Sequence, residues 1–333
     1  MEHPVLNLGL TGFGPEQRAT LAAAVAQQVP GQPSWRISTF WDADAWCVNG
    51  GKTQAQPDGT LRVLAGMPSE HAITLQMAEV NRPIAFATPL ASSRLEPACT
   101  IDPESPTSVQ QTLRKFENWL QPMLFRFAIG AKILERGVAL RGNIYHLHHQ
   151  SRLIAVLDFR HGKAAVLPTG KPIDLEGAAW GKRPAGAHDL PESFVATTPA
   201  QLIWTYVRHS GHDLLPTRYR TDMIYYRHVP RVPMGWLRDS MLQLLNVLSA
   251  EPANLQALRK RTGLAEAVLL HDLSCLYYAG AVTTTPMKAA TTEFTKYEEP
   301  QPRRSWEPDD SVLGRSTLPP MDSGRTVPAM LPR

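Results

Sequence analysis

From residue 218 the chain reads Arg-Tyr-Arg-Thr-Asp-Met-Ile-Tyr-Tyr-Arg-His-Val-Pro-Arg, and Arg238 follows soon after. Five arginines and one histidine thus interleave with three tyrosines within 21 residues. Guanidinium forks bind phosphate oxygens bidentately, and phenol faces stack on bases. Arg218, Tyr219, Arg220, Tyr225, Tyr226, Arg227, Arg231 and Arg238 therefore form a candidate site for an anion or a nucleotide. The competing reading of the same residues is a solvated strand and loop that pairs with an acidic surface elsewhere in the chain.

Other chemistry is scarcer. His146 and His148 share one face of an expected strand and His161 lies near a turn, so three imidazoles are available to one metal, but no Cys, Asp or Glu stands at ligand spacing and no metal is assigned. Asp42 and Asp44, two apart, are read as helix caps rather than metal ligands. Gly12-x-Gly14 sits at a strand-to-helix turn, yet a dinucleotide fingerprint needs glycine where Gln17 stands. Gly51-Lys52-Thr53 resembles the end of a P-loop, whose first glycine would be Trp46. Cys47, Cys99 and Cys275 are odd in number and widely spaced, which excludes a disulfide framework and leaves buried free thiols. A cyclic-dinucleotide receptor of the PilZ type would show R-x-x-x-R followed by D/N-x-S-x-x-G, and that pair does not occur in order. No cofactor and no catalytic residue is assigned; an enzyme would need distant groups such as His146, His148 and Asp158 to converge.

The elements that must position these residues begin with an α/β unit over residues 1–92. Val5-Leu6-Asn7-Leu8-Gly9-Leu10 reads as a strand, and Pro15 opens a helix to about Gln28 whose Leu21, Val25 and Val29 form one stripe. Strands are expected at 35–40, 45–48 and 61–64, a Ser69-capped helix to Val80, and a strand at 83–87. This alternation predicts a mostly parallel, doubly wound sheet. The order resembles the receiver domain of bacterial response regulators. The resemblance implies an acidic pair after the first strand, an aspartate after the third and a Ser/Thr after the fourth. Thr88 matches the last of these, but Thr11-Gly12-Phe13 stands where the acidic pair should be, so the resemblance is to a degenerate receiver without a magnesium site.

A proline-bearing linker (93–106) leads to a helix over 107–136, whose Val109, Leu113, Phe116, Leu120, Met123, Phe127, Ala131 and Leu134 step by three and four. Thr107 or Ser108 caps it, Pro122 kinks it and Gly137 closes it, and Trp119, Phe125, Ile129 and Ile133 give it a second apolar face. It is read as a core helix or as a homodimer seam. Residues 137–233 read as a basic, β-rich segment with short antiparallel strands at 143–149, 153–159 and 164–167. Residues 234–285 hold a helix over 237–248, a helix capped by Asn254, the turn Gly263-Leu264, a third helix ended by Gly280 and a terminal strand, which resembles a winged helix. A similar module closes some bacterial PATAN-type signalling proteins, a resemblance carried by Gly263-Leu264, the apolar helix and Tyr278-Ala279-Gly280-Ala281-Val282. Residues 286–333, with eight prolines in 48 positions, are expected to be a disordered tail.

Charge divides unevenly along the 333 residues. The net is +4, made of −4 over residues 1–106, +8 over 107–285 and zero beyond. A basic second half suits an anionic partner or the acidic first half. Arg259, Lys260 and Arg261 offer phosphate contacts, but the expected recognition helix opens Ala265-Glu266-Ala267-Val268, which repels a groove rather than reading it. The sequence therefore predicts a bacterial, cytoplasmic regulatory protein that acts by binding a protein or a small anion, with a nucleotide second messenger suited to the arginine–tyrosine cluster. A DNA-binding regulator is the first alternative and an enzyme the second. No run of roughly 18 apolar residues and no signal sequence is found, so no membrane partner is expected.

Overall fold

The computed structural model describes residues 2–27, 31–91, 97–184, 186 and 190–290. The first elements are β1 (Val5–Thr11), α1 (Pro15–Val25), β2 (Ser34–Ser38), β3 (Ala45–Asn49), β4 (Thr53–Ala55), β5 (Thr60–Val63), β6 (Ile73–Gln76), β7 (Ile84–Ala87) and β8 (Thr100–Ile101). A five-stranded, wholly parallel sheet runs in the order β2-β1-β3-β7-β8. Alternation along β1 sends Leu6, Leu8 and Leu10 to one face, where they pack with Leu21, Ala24 and Val25 of α1. On the other face Trp46, Val48 and Phe86 meet Leu61, Val63 and Leu75 of the antiparallel sheet β4-β5-β6.

Two expectations are corrected here. The strand order is that of one class of doubly wound sheets, but helices cover one face and a small sheet covers the other. The helix expected up to Val80 is β6 followed by a single 3-10 turn at Met77–Glu79. Leu75 is buried between exposed Thr74 and Gln76, a period of two that pairs with β5.

The long helix is two helices, α2 (Pro106–Trp119) and α3 (Gln121–Arg136), joined at Leu120. Pro122 has no N–H to give the preceding turn, so the chain breaks at Leu120 and restarts with the proline in the first turn of α3. Ser105, not Thr107 or Ser108, caps α2, its hydroxyl accepting from the Ser108 N–H at 3.3 Å. Gly137 ends α3 at φ +53°, as its position predicts. Val109, Leu113, Phe116, Leu120 and Leu124 pack under the parallel sheet, Phe125, Ala128, Ile129 and Ile133 under a second sheet, and Phe127 enters a third core. The seam expected for a dimer is thus occupied within the chain.

The second sheet is antiparallel, with β9 (Ile144–His149), β10 (Arg152–Asp158), β11 (Lys163–Val166), β12 (Ala179–Arg183) and β13 (Val195–Thr197) in the order β12-β9-β10-β11-β13. It leads into α4 (Pro199–His209), opened by a capping box between Thr198 and Gln201. α4 crosses α3 at Gly130, where an added Cβ would lie 2.2 Å from the Leu202 carbonyl oxygen.

The last elements are α5 (Arg218–Thr221), β14 (Tyr225–Tyr226), α6 (Asp239–Ala250), α7 (Leu255–Thr262), α8 (Glu266–Tyr278) and β15 (Val282–Thr283). Asn254 caps α7, and Gly263 ends it at φ +67°. Of the winged-helix expectation, the three helices, the Gly263 turn and the terminal strand are present. β15 pairs with β14, which precedes α6, and Ile224 bridges Ala253, so among the described residues no wing hairpin follows α8. The Ala290 N–H still donates to Tyr226, so the fold continues past 286; the rest of the expected disordered tail lies outside the described residues. Residues up to Ala290 form one compact unit.

Candidate ligand-binding site

Parallel sheets of this order bind ligands at the carboxyl ends of their strands, and here that edge is filled by the chain itself. Gly12 turns out of β1 at φ +78°, and Gly66 lies so close that an added Cβ would sit 2.2 Å from the Phe13 carbonyl oxygen. Arg18 donates to the carbonyls of Leu10 (3.0 Å) and Phe13 (3.4 Å) and pairs with Glu70, which also accepts from the Gly66 N–H. Gly12-x-Gly14 is therefore covered. Thr88 does follow the fourth parallel strand, but Asp42 and Asp44 precede the third, on the edge opposite a receiver's phosphoacceptor.

That opposite edge opens into a cavity of about 440 Å³. Its walls come from the loops before β3 (41–44) and β7 (81–82), the α2–α3 junction, α4, and the residues leading into α6. Four of the chain's eight tryptophans line it, Trp41, Trp119, Trp204 and Trp236, together with four arginines, Arg82, Arg126, Arg208 and Arg238. Trp41 and Trp119 are 59% and 53% exposed at the rim, whereas Trp204 is fully buried.

The arginines differ in what holds them. Arg82 donates to the carbonyls of Trp41 (3.0 Å) and Ala43 (2.5 Å), with its guanidinium 4.7 Å above the Trp46 ring. Arg208 donates to the carbonyls of Trp236 (3.1 Å) and Asp42 (3.2 Å). Carbonyls position these two cations, and the carboxylates of Asp42 and Asp44, which line the same cavity, act on them. Arg238 pairs with Asp272, which is fully buried and keeps Oδ2 unbonded. Arg126, half-buried, forms no salt bridge among the described residues, although Asp42, Asp44 and Asp239 line the same cavity, and its Nε is buried without a partner. Burial alone moves the Arg126 guanidinium below its ordinary value. The buried indole N–H of Trp204 likewise has no acceptor among the described residues.

No family model, curated protein or solved structure matches this chain. The site therefore stands on its own geometry.

A charged core lies behind the cavity. Asp44 Oδ1 is 2.9 Å from His209 Nε2, while Asp44 Oδ2 accepts from the backbone N–H (2.8 Å) and side-chain amide (3.1 Å) of Asn7. His209 Nδ1 is 2.9 Å from the Thr205 carbonyl oxygen. Each ring nitrogen thus faces an oxygen atom. On the far side of Arg238 a second cavity of about 370 Å³ is lined by Arg36, Ser210, His212, His271 and Ser274. Burial, and then Arg238, Arg36, His209 and Arg208, push His271 down to about 3.

Of the residues expected to bind a ligand, only Arg238 lines the main cavity. Tyr219 is core, its hydroxyl donating to the Val282 carbonyl at 3.2 Å. Arg218 lies over the rings of Tyr219 and Tyr277, Arg220 pairs with Asp213, Tyr225 and Tyr226 form β14, and Arg227 and Arg231 are exposed. On α7, Arg259 pairs with Glu266 and Arg261 with Glu251, and Lys260 is exposed. The histidines do not converge: His146 and His148 lie opposite Val156 and Leu153, while His161 binds Asp158 at the turn beyond. Asp158 itself is buried and accepts the N–H groups of Arg160 and His161, a turn-holding role. Among the described residues no group of three or more His, Cys, Asp and Glu is placed to hold a metal, and no helix is long and apolar enough to cross a membrane.

Sequence reasoning misses Arg82, Arg126, Arg208, His209 and the four tryptophans. Part of the signal is present: Thr198-Pro199-Ala200-Gln201 is a capping box followed by an apolar stripe, and it announces α4, which carries Trp204, Arg208 and His209.

Proposed function

We propose that this chain is a non-enzymatic, cytosolic regulatory protein that acts by binding a small anionic ligand in the tryptophan–arginine cavity. The observation that carries the reading is Arg126, a half-buried cation with no salt bridge among the described residues, lining a space large enough for a small molecule. An unpaired charge out of water is costly, and an anion would relieve that cost through strong, charge-assisted bonds. The non-enzymatic part is supported by His209, whose two nitrogens are engaged by Asp44 and Thr205 rather than presented to a substrate. Free thiols at Cys47 and Cys275, both buried, fit a reducing compartment.

The regulatory part follows from where the arginines come from. Arg82 precedes β7, Arg126 lies on α3, Arg208 on α4 and Arg238 just before α6. One anion held by several of them would tie the parallel-sheet unit to the C-terminal helices, and a protein partner would read that change in packing. The DNA-regulator alternative is weakened because Arg259 and Arg261 already pair with carboxylates.

The test is titration of intrinsic tryptophan fluorescence with inorganic phosphate, pyrophosphate and a mixture of nucleotides. The expected result is a saturable change in the native protein that Arg126→Gln abolishes. No response to any anion contradicts the proposal.

A further inference from the structure

We infer that the ligand is of the mononucleotide class, one flat aromatic base carrying an anionic group, with the anion on Arg126 and the base against the rim tryptophans Trp41 and Trp119. This rests on the anion-binding reading above and adds to it the chemistry of the uncharged half of the ligand.

One observation beyond Arg126 points to an aromatic ring. Trp41 and Trp119 are each more than half exposed, and both stand at the mouth of the same cavity. Tryptophan is the largest apolar surface a side chain can offer, and its π-face stacks on any base without needing a particular hydrogen-bond pattern. Trp41 is not a loose side chain: its ring meets Trp46 at 5.8 Å and 89° and Phe40 at 5.2 Å and 84°. Trp119 ends α2, directly before the Leu120 break. Both rings are thus carried by fixed elements of the fold and remain uncovered.

Inorganic phosphate alone would satisfy the guanidinium groups and leave the tryptophans without a role. The volume of about 440 Å³ is near the low end of the range of small-molecule sites, which favours one nucleotide over two.

The experiment is isothermal titration of the full chain with adenosine and guanosine monophosphates, the two nucleosides, inorganic phosphate and a cyclic dinucleotide. A monophosphate should bind at least tenfold more tightly than either its nucleoside or phosphate. Trp119→Ala should weaken that monophosphate by roughly five- to 100-fold while leaving phosphate affinity unchanged, and Trp119→Phe should restore most of the loss. Because Trp119 is exposed, these variants keep the core intact, and circular dichroism verifies it. Phosphate binding as tightly as the nucleotides overturns the aromatic part and leaves the anion reading standing. Tightest binding by the cyclic dinucleotide overturns the single-nucleotide size. Binding of none of the probes overturns both this inference and the reading it rests on.

Discussion

Asp44 and His209 lie 165 positions apart in sequence and 2.9 Å apart in space. Asp44 stands on the loop before β3 and His209 is the last residue of α4, so this one pair fastens the parallel sheet to the helix that lines the cavity. Burial pushes the Asp44 carboxyl up, but His209, Arg208 and the Asn7 N–H together outweigh it and hold the group down at about 2.

Acid should therefore loosen this junction. An unfolded chain protonates a carboxyl near pH 4, above the folded value, so the pair's contribution is complete above about pH 4 and is lost as pH falls toward 2. The contribution is roughly 2 kcal/mol, because each tenfold difference in proton affinity between the folded and unfolded chain is worth about 1.4 kcal/mol. Asp44→Asn should lower stability at pH 7 by about 2–4 kcal/mol and flatten the loss between pH 4 and 2. Urea unfolding at a series of pH values measures both, and equal slopes for the two proteins would refute the assignment.

His271 should add a separate, earlier loss. Its folded value of about 3 lies below the ordinary value of 6.5, so the unfolded chain takes up a proton first and stability falls as pH drops from about 6.5 toward 3. His271→Asn removes the titrating ring. The variant should show a flatter stability profile from pH 6.5 to 4, a window in which Asp44 contributes little. An unchanged slope there would mean that His271 is not shielded from protons.

Gly130 tests the close crossing of α3 and α4. An added Cβ meets the backbone of Leu202, which cannot rotate away, so Gly130→Ala should cost about 1–3 kcal/mol despite the better helix propensity of alanine. Thermal unfolding should shift down by several degrees. A neutral or raised midpoint would show that the helices can part without cost.

Legibility from sequence varies with the range of the contacts involved. β1 is readable because Leu6, Leu8 and Leu10 alternate, and the end of α3 because Gly137 punctuates it. Residues 69–80 read as a helix behind a Ser69 cap, whereas Ile73, Leu75 and Met77 alternate with the period of a strand, and pairing with β5 realises that period. The site is the least legible part. Arg82, Arg126, Arg208 and Arg238 are separated by 30 to 82 positions and come together only through the packing of α3 and α4 under two sheets. The local cluster at 218–231 carries the denser signal, yet the fold spends Tyr219 on its core and Arg220 on Asp213.

The most direct measurement is the stability of Arg126→Gln against the native chain, first in anion-free buffer and then with a saturating mononucleotide. If Arg126 waits unpaired for an anion, its removal relieves a desolvation cost. The variant should then be as stable as the native protein without ligand, or more stable by about 1 kcal/mol. Added nucleotide should raise the melting temperature of the native chain alone, because only a protein that binds gains stability by mass action. A variant that is strongly destabilised without ligand and still gains the same stabilisation from nucleotide would make Arg126 a structural residue and contradict its role as the anion's partner.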